Sequence, residues 1–361
     1  MRVLICGGGA IGASIAYFLS LKGVEAVVIE RTGVACAASG KSGGFLALDW
    51  CDGTALGPLA RRSFALHAEL AATLKGDWGY RRLPTLGVVA STRRDLSRHR
   101  RRGAPAWLGP EAVVHGQLGT PENTAQVHPG AFTRAMMKAA EARGARLQRG
   151  CVTDLDLSPD GSVARGVLVD GEVLSGDAVV IALGPWSTLA GRWLPLPAVH
   201  GLKGHSVVFR SPSPEPAEAV FAEVESEDGE VHAPEVFPRP DGTTYVCGLP
   251  GRATVPADPA AVLPEPGAAE RLRAIVAAFS PQLAAAEILA VQSCYRPMTE
   301  DGLPLIGRAP GVEAAYVATG HNVWGILNAP ATGEAMAELI ADGRARLDLA
   351  AFAPARLPAR A

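Results

Sequence analysis

Two glycine-rich stretches near the start of this 361-residue chain have the spacing to bind a phosphorylated ligand. The first is Gly7-Gly8-Gly9-Ala10-Ile11-Gly12, a GxGxxG run, with Glu30 eighteen residues past Gly12. Gly7 permits a tight turn, Gly9 lets the backbone approach a pyrophosphate, and Gly12 allows strand and helix to pack closely. A helix opening at Ala10 and Ile11 would offer free N–H groups and a positive dipole end to phosphate oxygens. Glu30 is placed to accept hydrogen bonds from ribose hydroxyls, and an acid there disfavours a 2′-phosphate. The second stretch, Ser39-Gly40-Lys41-Ser42-Gly43-Gly44, can add backbone N–H and hydroxyl donors around the same pyrophosphate. A plain NAD domain has no need of this second loop, so FAD is the better match. A mobile surface loop is the alternative.

The elements around these residues support that chemistry. Val3-Leu4-Ile5-Cys6 is a short apolar run, as in a buried parallel strand. Ile11 to Leu21 has apolar residues at helical spacing, and Lys22-Gly23 stops it. Ala26 to Ile29 is a second buried strand that ends at Glu30, completing the start of a βαβ unit. Helices are expected over Gly57 to Leu74, Pro129 to Arg143, Ala268 to Phe279 and about Ala329 to Ile340. Val179 to Ala182 and Ala315 to Ala318 read as further buried strands. Between His200 and about Gln292, apolar and polar residues alternate in Ser206–Arg210 and Thr243–Cys247, which predicts a mostly antiparallel sheet with one wet face. The expected fold is α/β: a discontinuous Rossmann-type FAD-binding domain (1–80, 125–198 and 293–347) with an inserted β-rich α+β substrate domain (81–124 and 199–292). The tail 348–361 is expected to fray.

Composition excludes several other classes. Hydrophobic residues make up 48% and charged residues 19%, a globular balance, and the net charge of -2 exerts no general pull on nucleic acid. The Arg93–Arg102 run has no interleaved aromatics and reads as a solvated face. No apolar stretch approaches the length of a membrane span. The six cysteines form no CxxC pair, so no metal site is expected and a reducing compartment is. The first strand follows Met1 directly, which points to the cytoplasm.

Four later segments occur in an order that resembles the D-amino-acid oxidase, glycine oxidase and sarcosine oxidase family of flavoproteins, as does the Glu30-Arg31 end of the second strand. They are Val127-His128-Pro129, Val179-Val180-Ile181-Ala182-Leu183-Gly184-Pro185-Trp186-Ser187, Tyr295-Arg296-Pro297-Met298-Thr299-Glu300-Asp301-Gly302-Leu303-Pro304-Leu305-Ile306-Gly307, and Gly320-His321-Asn322-Val323-Trp324-Gly325. The resemblance implies FAD with its ring between the two domains. Val152 would contact the adenine through its backbone, Gly184 and Trp186 would flank the cofactor, and the Gly320–Gly325 turn would lie close to the flavin. The helix beginning near Ala329 would point its positive end at the flavin pyrimidine. By the same resemblance, Arg296 would pair bidentately with a substrate carboxylate and aim the α-C–H at flavin N5. His205 and His321 are candidates to face the ring, against ordinary structural roles for both. Lys41 could serve the pyrophosphate or lie near N5.

The implied activity is oxidation of a small amine or amino acid by hydride transfer to flavin N5, with dioxygen or another acceptor reoxidising the flavin. A 2-hydroxy-acid dehydrogenase and a flavin-binding protein with a mainly interaction role are the rivals. The apolar segment Phe45-Leu46-Ala47-Leu48-Asp49-Trp50 departs from glycine and D-amino-acid oxidases and suggests a divergent subgroup. No cysteine, Cys247 and Cys294 included, sits in a motif for covalent FAD attachment, and buried inert thiols are expected.

Overall fold

Val3, Leu4, Ile5 and Cys6 are all fully buried, because the strand Arg2–Cys6 is covered on both faces. In the computed structural model, which describes residues 1–74, 76–96, 104–212 and 216–359, this strand lies inside a six-stranded sheet. The strand order is Leu305–Arg308, Ala315–Thr319, Ala178–Ile181, Arg2–Cys6, Glu25–Glu30, Arg146–Arg149. All neighbours are parallel except Leu305–Arg308, which runs antiparallel to Ala315–Thr319. Val3 and Ile5 join a core formed with the helices Ala10–Leu21, Gly57–Leu74, Pro129–Glu141 and Gly325–Ala341. Leu4 and Cys6 face the opposite side, where the meander Val152–Leu157, Ala164–Val169, Glu172–Ser175 closes a second core. Burial on both faces explains why these strands read as unbroken apolar runs.

The helix Gly325–Ala341 begins four residues before the expected start near Ala329 and carries Pro330 inside it. Proline favours a first turn, so the sequence pattern placed the boundary beside it. An internal proline removes one i→i−4 hydrogen bond and frees the carbonyl of Ile326. A second helix repairs the break. His67 Nε2–H lies 3.0 Å from the Ile326 carbonyl and 3.2 Å from that of Leu327, and donates to them. Ser63 Oγ accepts from the Ala331 N–H at 3.1 Å. Further along, Gly333 lets this helix meet Ala10–Leu21, since a Cβ there would stand 2.6 Å from the Ser14 carbonyl carbon.

The second large sheet has the order Ile288–Met298, His200–Arg210, Thr243–Gly251, Glu235–Pro238, Ala219–Glu225, Thr85–Ser91, Val113–Gly119, with Val231–His232 beside Ala219–Glu225. It is antiparallel apart from the parallel pair Ala219–Glu225 and Thr85–Ser91. Val207, Phe209, Val236 and Val246 pack under the helix Ala268–Ala277. The alternate residues Val208, Phe237, Tyr245 and Cys247 face the other way, toward the first sheet. The strand Ile288–Met298 crosses the expected boundary at 292/293, so Arg296 belongs to this sheet. A small sheet of Phe45–Ala47, Thr124–Gln126 and Arg81–Arg82 lies apart from it.

The expectation of a frayed tail is corrected for residues 348–359. Phe352 is buried in the helical core, and Arg356 bonds to Asp301 at 2.7 and 3.0 Å and to the Leu303 carbonyl. One aromatic anchor and one ion pair fix a segment whose Pro, Arg and Ala content looked unstructured. Of the Arg93–Arg102 run, Arg93 and Arg94 are exposed and pair with Glu225, while residues 97–103 lie outside the described part. Among the described residues no helix is long and apolar enough to cross a membrane, and no group of His, Cys, Asp and Glu could hold a metal ion.

Candidate functional site

A single cleft runs from the glycine turn, between the two large sheets, to Arg296. At its first end, Gly7 has φ +116 and a Cβ there would meet the Ala182 carbonyl at 2.5 Å. Gly12 is still tighter, with a Cβ position 2.0 Å from the Gly7 carbonyl. The helix Ala10–Leu21 has no acid in its first turn and no side-chain cap from Gly9; Ser39 Oγ accepts from the Ala10 N–H at 2.9 Å. Its positive end is therefore left to an anion. Glu30 accepts from the N–H of Gly8 (2.7 Å), Thr32 (2.7 Å) and Gly33 (3.1 Å), which fixes the carboxylate at the lip of the turn. Arg31 points outward to the Ala257 carbonyl and to Asp258, while Trp186 Nε1 donates to the Pro256 carbonyl at 2.7 Å. Both contacts draw the 256–259 loop over this end.

The other end is made of side chains on the second sheet. Ser206, Cys247 and Glu235 sit opposite one another on three adjacent strands. Arg296 comes from the edge strand, and its guanidinium lies across Gly204, where a Cβ would be 4.0 Å from Cζ. It makes no hydrogen bond or ion pair with any other described residue. Tyr245 donates to the Lys41 carbonyl at 3.0 Å, and burial raises its pKa well above the ordinary phenol value. Burial also raises Cys294, to about 11, and Cys247, so both thiols stay protonated. All six cysteines are free. Burial raises Glu235 as well, and the nearby Arg296 charge works against that rise. Phe45, Trp50, Phe221, Phe237 and Tyr245 form a continuous aromatic cluster that reaches Trp324.

The cleft gathers most of the expected site residues. Gly7, Gly9, Ala10, Ile11, Glu30, Arg31, Ser39, Lys41, Ser42, Gly43, Val152, Gly184, Trp186, Gly320, His321, Asn322, Val323, Gly325, His205 and Arg296 all line it. Four others stand behind the lining. Gly12 is pressed on Gly7, Gly40 on the Ala35 carbonyl, Gly44 on the Val127 carbonyl, and Trp324 joins the aromatic cluster through Trp50. Ala38–Lys41 is a short helix rather than open loop, and Lys41 Nζ reaches across to the Ser293 carbonyl.

The two histidines expected to face the ring both line the cleft, and both rings are engaged by the protein through nitrogen. His205 Nδ1–H donates to the Leu249 carbonyl at 3.0 Å, and Nε2 accepts from the Glu265 N–H at 3.2 Å. That leaves neither ring nitrogen for a substrate. His321 is buried, which pushes its pKa down to about 3, and its Nε2 meets Thr332 Oγ1 at 3.0 Å. It is neutral at any ordinary pH. Glu235 and Tyr245 were missed, and Cys247 was read only as a buried inert thiol. The available signal was Glu235 itself, a lone acid in the otherwise apolar strand Glu235-Val236-Phe237-Pro238.

A Rossmann-type sheet opening on a glycine turn, with a second sheet closing the cleft, defines a dinucleotide-dependent oxidoreductase. The chain matches the FAD dependent oxidoreductase family over residues 2–339 and belongs to it. It is an FAD-dependent enzyme of the amino-acid oxidase type. It is 30% identical to a putative oxidoreductase of Schizosaccharomyces pombe, covering 95% of this chain and 94% of that one. It is also 30% identical to a glycine oxidase of Geobacillus kaustophilus, covering 98% and 96%. The crystal structure of glycine oxidase from Geobacillus kaustophilus superposes with a TM-score of 0.80 at 28% identity, covering 98% of each chain. L-proline dehydrogenase from P. horikoshii shares the fold, with a TM-score of 0.76 at 21% identity over 98% of this chain and 97% of that one.

Proposed function

We propose that the chain oxidises a small amine or amino acid at a C–N bond, passing a hydride to FAD, with dioxygen or another acceptor completing the cycle. The observation that carries this reading is Arg296, a guanidinium in the cleft with no hydrogen-bond or ion-pair partner among the described residues. A half-buried guanidinium in a cleft, without a partner among the described residues, is set to receive one from a ligand, and its planar fork of donors suits a carboxylate. The partner it lacks would be the substrate carboxylate, and fixing that group would orient the neighbouring carbon toward the first sheet.

The residues present fit the cofactor. Gly7 and Gly9 leave a cradle that side chains would fill, since a Cβ on Gly9 would stand 3.1 Å from Ser39 Oγ. The turn from Gly7 to Ile11 would hold the pyrophosphate, Glu30 the ribose, and the backbone at Val152 the adenine. Gly320 to Gly325 would border the flavin, and the N-terminus of Gly325–Ala341 would favour negative charge on its pyrimidine. When bound, FAD supplies the two-electron acceptor. Neutral His321 would add a polar contact without a competing positive charge. The substrate faces of Tyr245 and Cys247 would stay protonated and take no proton from it.

Anaerobic mixing of the yellow holoprotein with a panel of amino acids, N-methyl amines and 2-hydroxy acids tests the reading. Bleaching by amines or amino acids is expected. Bleaching by hydroxy acids alone, or by nothing in the panel, would overturn it.

A further inference from the structure

Glu235 has an environment that no step above uses. It lies on the strand Glu235–Pro238 and lines the cleft, and its one side-chain hydrogen-bond partner among the described residues is the Cys247 thiol, with Sγ 3.4 Å from Oε2. A thiol is a weak donor, and this one stays protonated, so it does little to compensate a desolvated carboxylate. Carboxylates in such places ordinarily have a cation or several N–H groups. The cation that acts on Glu235 is Arg296, yet the two form no ion pair.

Sheet register shows why they stay apart and what could join them. Glu235 pairs with Cys247, which pairs with Ser206, and Gly204 lies two residues further along that strand on the same face. Two residues of rise and two strand spacings separate the Gly204 and Glu235 positions by about 12 Å. The Arg296 guanidinium lies over Gly204, and the Glu235 side chain enters the cleft from its own position. Both charged groups line the same cleft, so one small molecule with a hydrogen-bonding group at each end could meet the two.

We propose that Glu235 is the ammonium anchor of the substrate site: Arg296 takes the carboxylate of an α-amino acid, and Glu235 binds its α-ammonium and takes one proton from it, leaving the neutral amine whose α-C–H departs as hydride. This inference rests on the amino-acid reading of the site. A zwitterion pairs both charges in the cleft. A 2-hydroxy acid brings a second anion and leaves Glu235 unmatched, so the same pair that admits amino acids rejects their hydroxy counterparts.

Two isosteric ligands separate charge from turnover. 2-Aminoisobutyrate and 2-hydroxyisobutyrate have no hydrogen on the α-carbon, so neither is oxidised. Calorimetric titration of the holoenzyme should show wild type preferring the amino ligand by about tenfold or more, the value of one charge-assisted hydrogen bond. In Glu235→Gln, with FAD absorbance retained, the preference should vanish through loss of amino-ligand affinity. Glu235→Asp should keep part of it. The ratio of kcat/KM for alanine over lactate gives a second readout and should fall in the same order. A Glu235→Gln protein that keeps the wild-type preference overturns the anchor. If wild type still oxidises amino acids in that case, the amino-acid reading survives. A wild type with bound FAD that neither binds nor oxidises any amino acid overturns both.

Discussion

At the Gly7 end of the cleft, the lining is a glycine turn of backbone, held in place by one carboxylate and one serine hydroxyl. At the Arg296 end they are side chains from separate strands, brought together by register. The first end recognises a shape shared by all dinucleotides, so glycines that keep side chains away do most of its work. The second must distinguish small molecules of similar size, which needs charges at fixed separation. Substitutions at the two ends should therefore fail in different ways.

The largest effect is expected from Gly12→Val. Its Cβ would stand 2.0 Å from the Gly7 carbonyl, a backbone atom that cannot move without reshaping the turn. The purified variant should lack the yellow flavin absorbance almost entirely while far-UV circular dichroism still reports a folded second sheet. Retention of FAD at wild-type stoichiometry would mean that the turn tolerates displacement and that the cofactor depends on contacts elsewhere.

Arg296→Ala should do the opposite, keeping FAD and losing the substrate. Removing a bidentate charged contact is worth about 3 kcal/mol, or roughly a hundredfold in kcat/KM for the best amino acid. Arg296→Lys keeps the charge without the planar fork and should lose about tenfold. Loss of FAD in either variant would join the two ends functionally and undo the contrast.

The same contrast explains what could be read from sequence. The glycine turn, the strand before it and Glu30 lie within thirty consecutive residues, and local spacing fixes their geometry. Arg296 was visible because it sits in a long contiguous motif. Glu235 and Cys247 lie on consecutive strands and Ser206 on an earlier one, and only strand register sets the three in one row. Periodicity shows which face a residue occupies but not who stands opposite. His205 shows the same limit: sequence offered both a ring-facing and a structural role, and only the fold places the Leu249 and Glu265 backbone groups around its two nitrogens. The helix start at Gly325 was hidden because the repair of Pro330 comes from Ser63 and His67, more than 250 residues earlier.

That repair is a stability device, and breaking it should leave both ends of the cleft chemically intact. His67→Leu abandons the Ile326 and Leu327 carbonyls in a buried place and should cost about 1–3 kcal/mol, read from denaturant melts. Acid should act through the same ring. Burial lowers the His67 pKa from 6.5 to about 4, so the unfolded chain takes up a proton that the folded one refuses. Stability is fully present above pH 6.5 and declines as pH falls toward 4, by about 3 kcal/mol for this group. His67→Gln, which keeps an N–H donor but does not titrate, should flatten that part of the pH–stability curve. An unchanged slope would remove His67 from the account of acid sensitivity, leaving His321, which is lowered to about 3 by the same cause.

The smallest effect is expected at the rim of the nucleotide end. Arg31 holds the 256–259 loop through the Ala257 carbonyl at 3.1 Å and Asp258 at 3.6 Å, but both charged side chains are about half exposed. Such a pair contributes about 0–1 kcal/mol and weakens with salt. Trp186 secures the same loop from a buried position, through its bond to the Pro256 carbonyl. Arg31→Ala should therefore weaken FAD by no more than about fivefold at low salt, with the difference shrinking as salt is raised. Trp186→Phe, which keeps an aromatic ring but removes the donor, should weaken FAD more, independently of salt. If the order were reversed, the loop would be held by charge rather than by the buried indole, and the nucleotide end would depend on side chains much as the substrate end does.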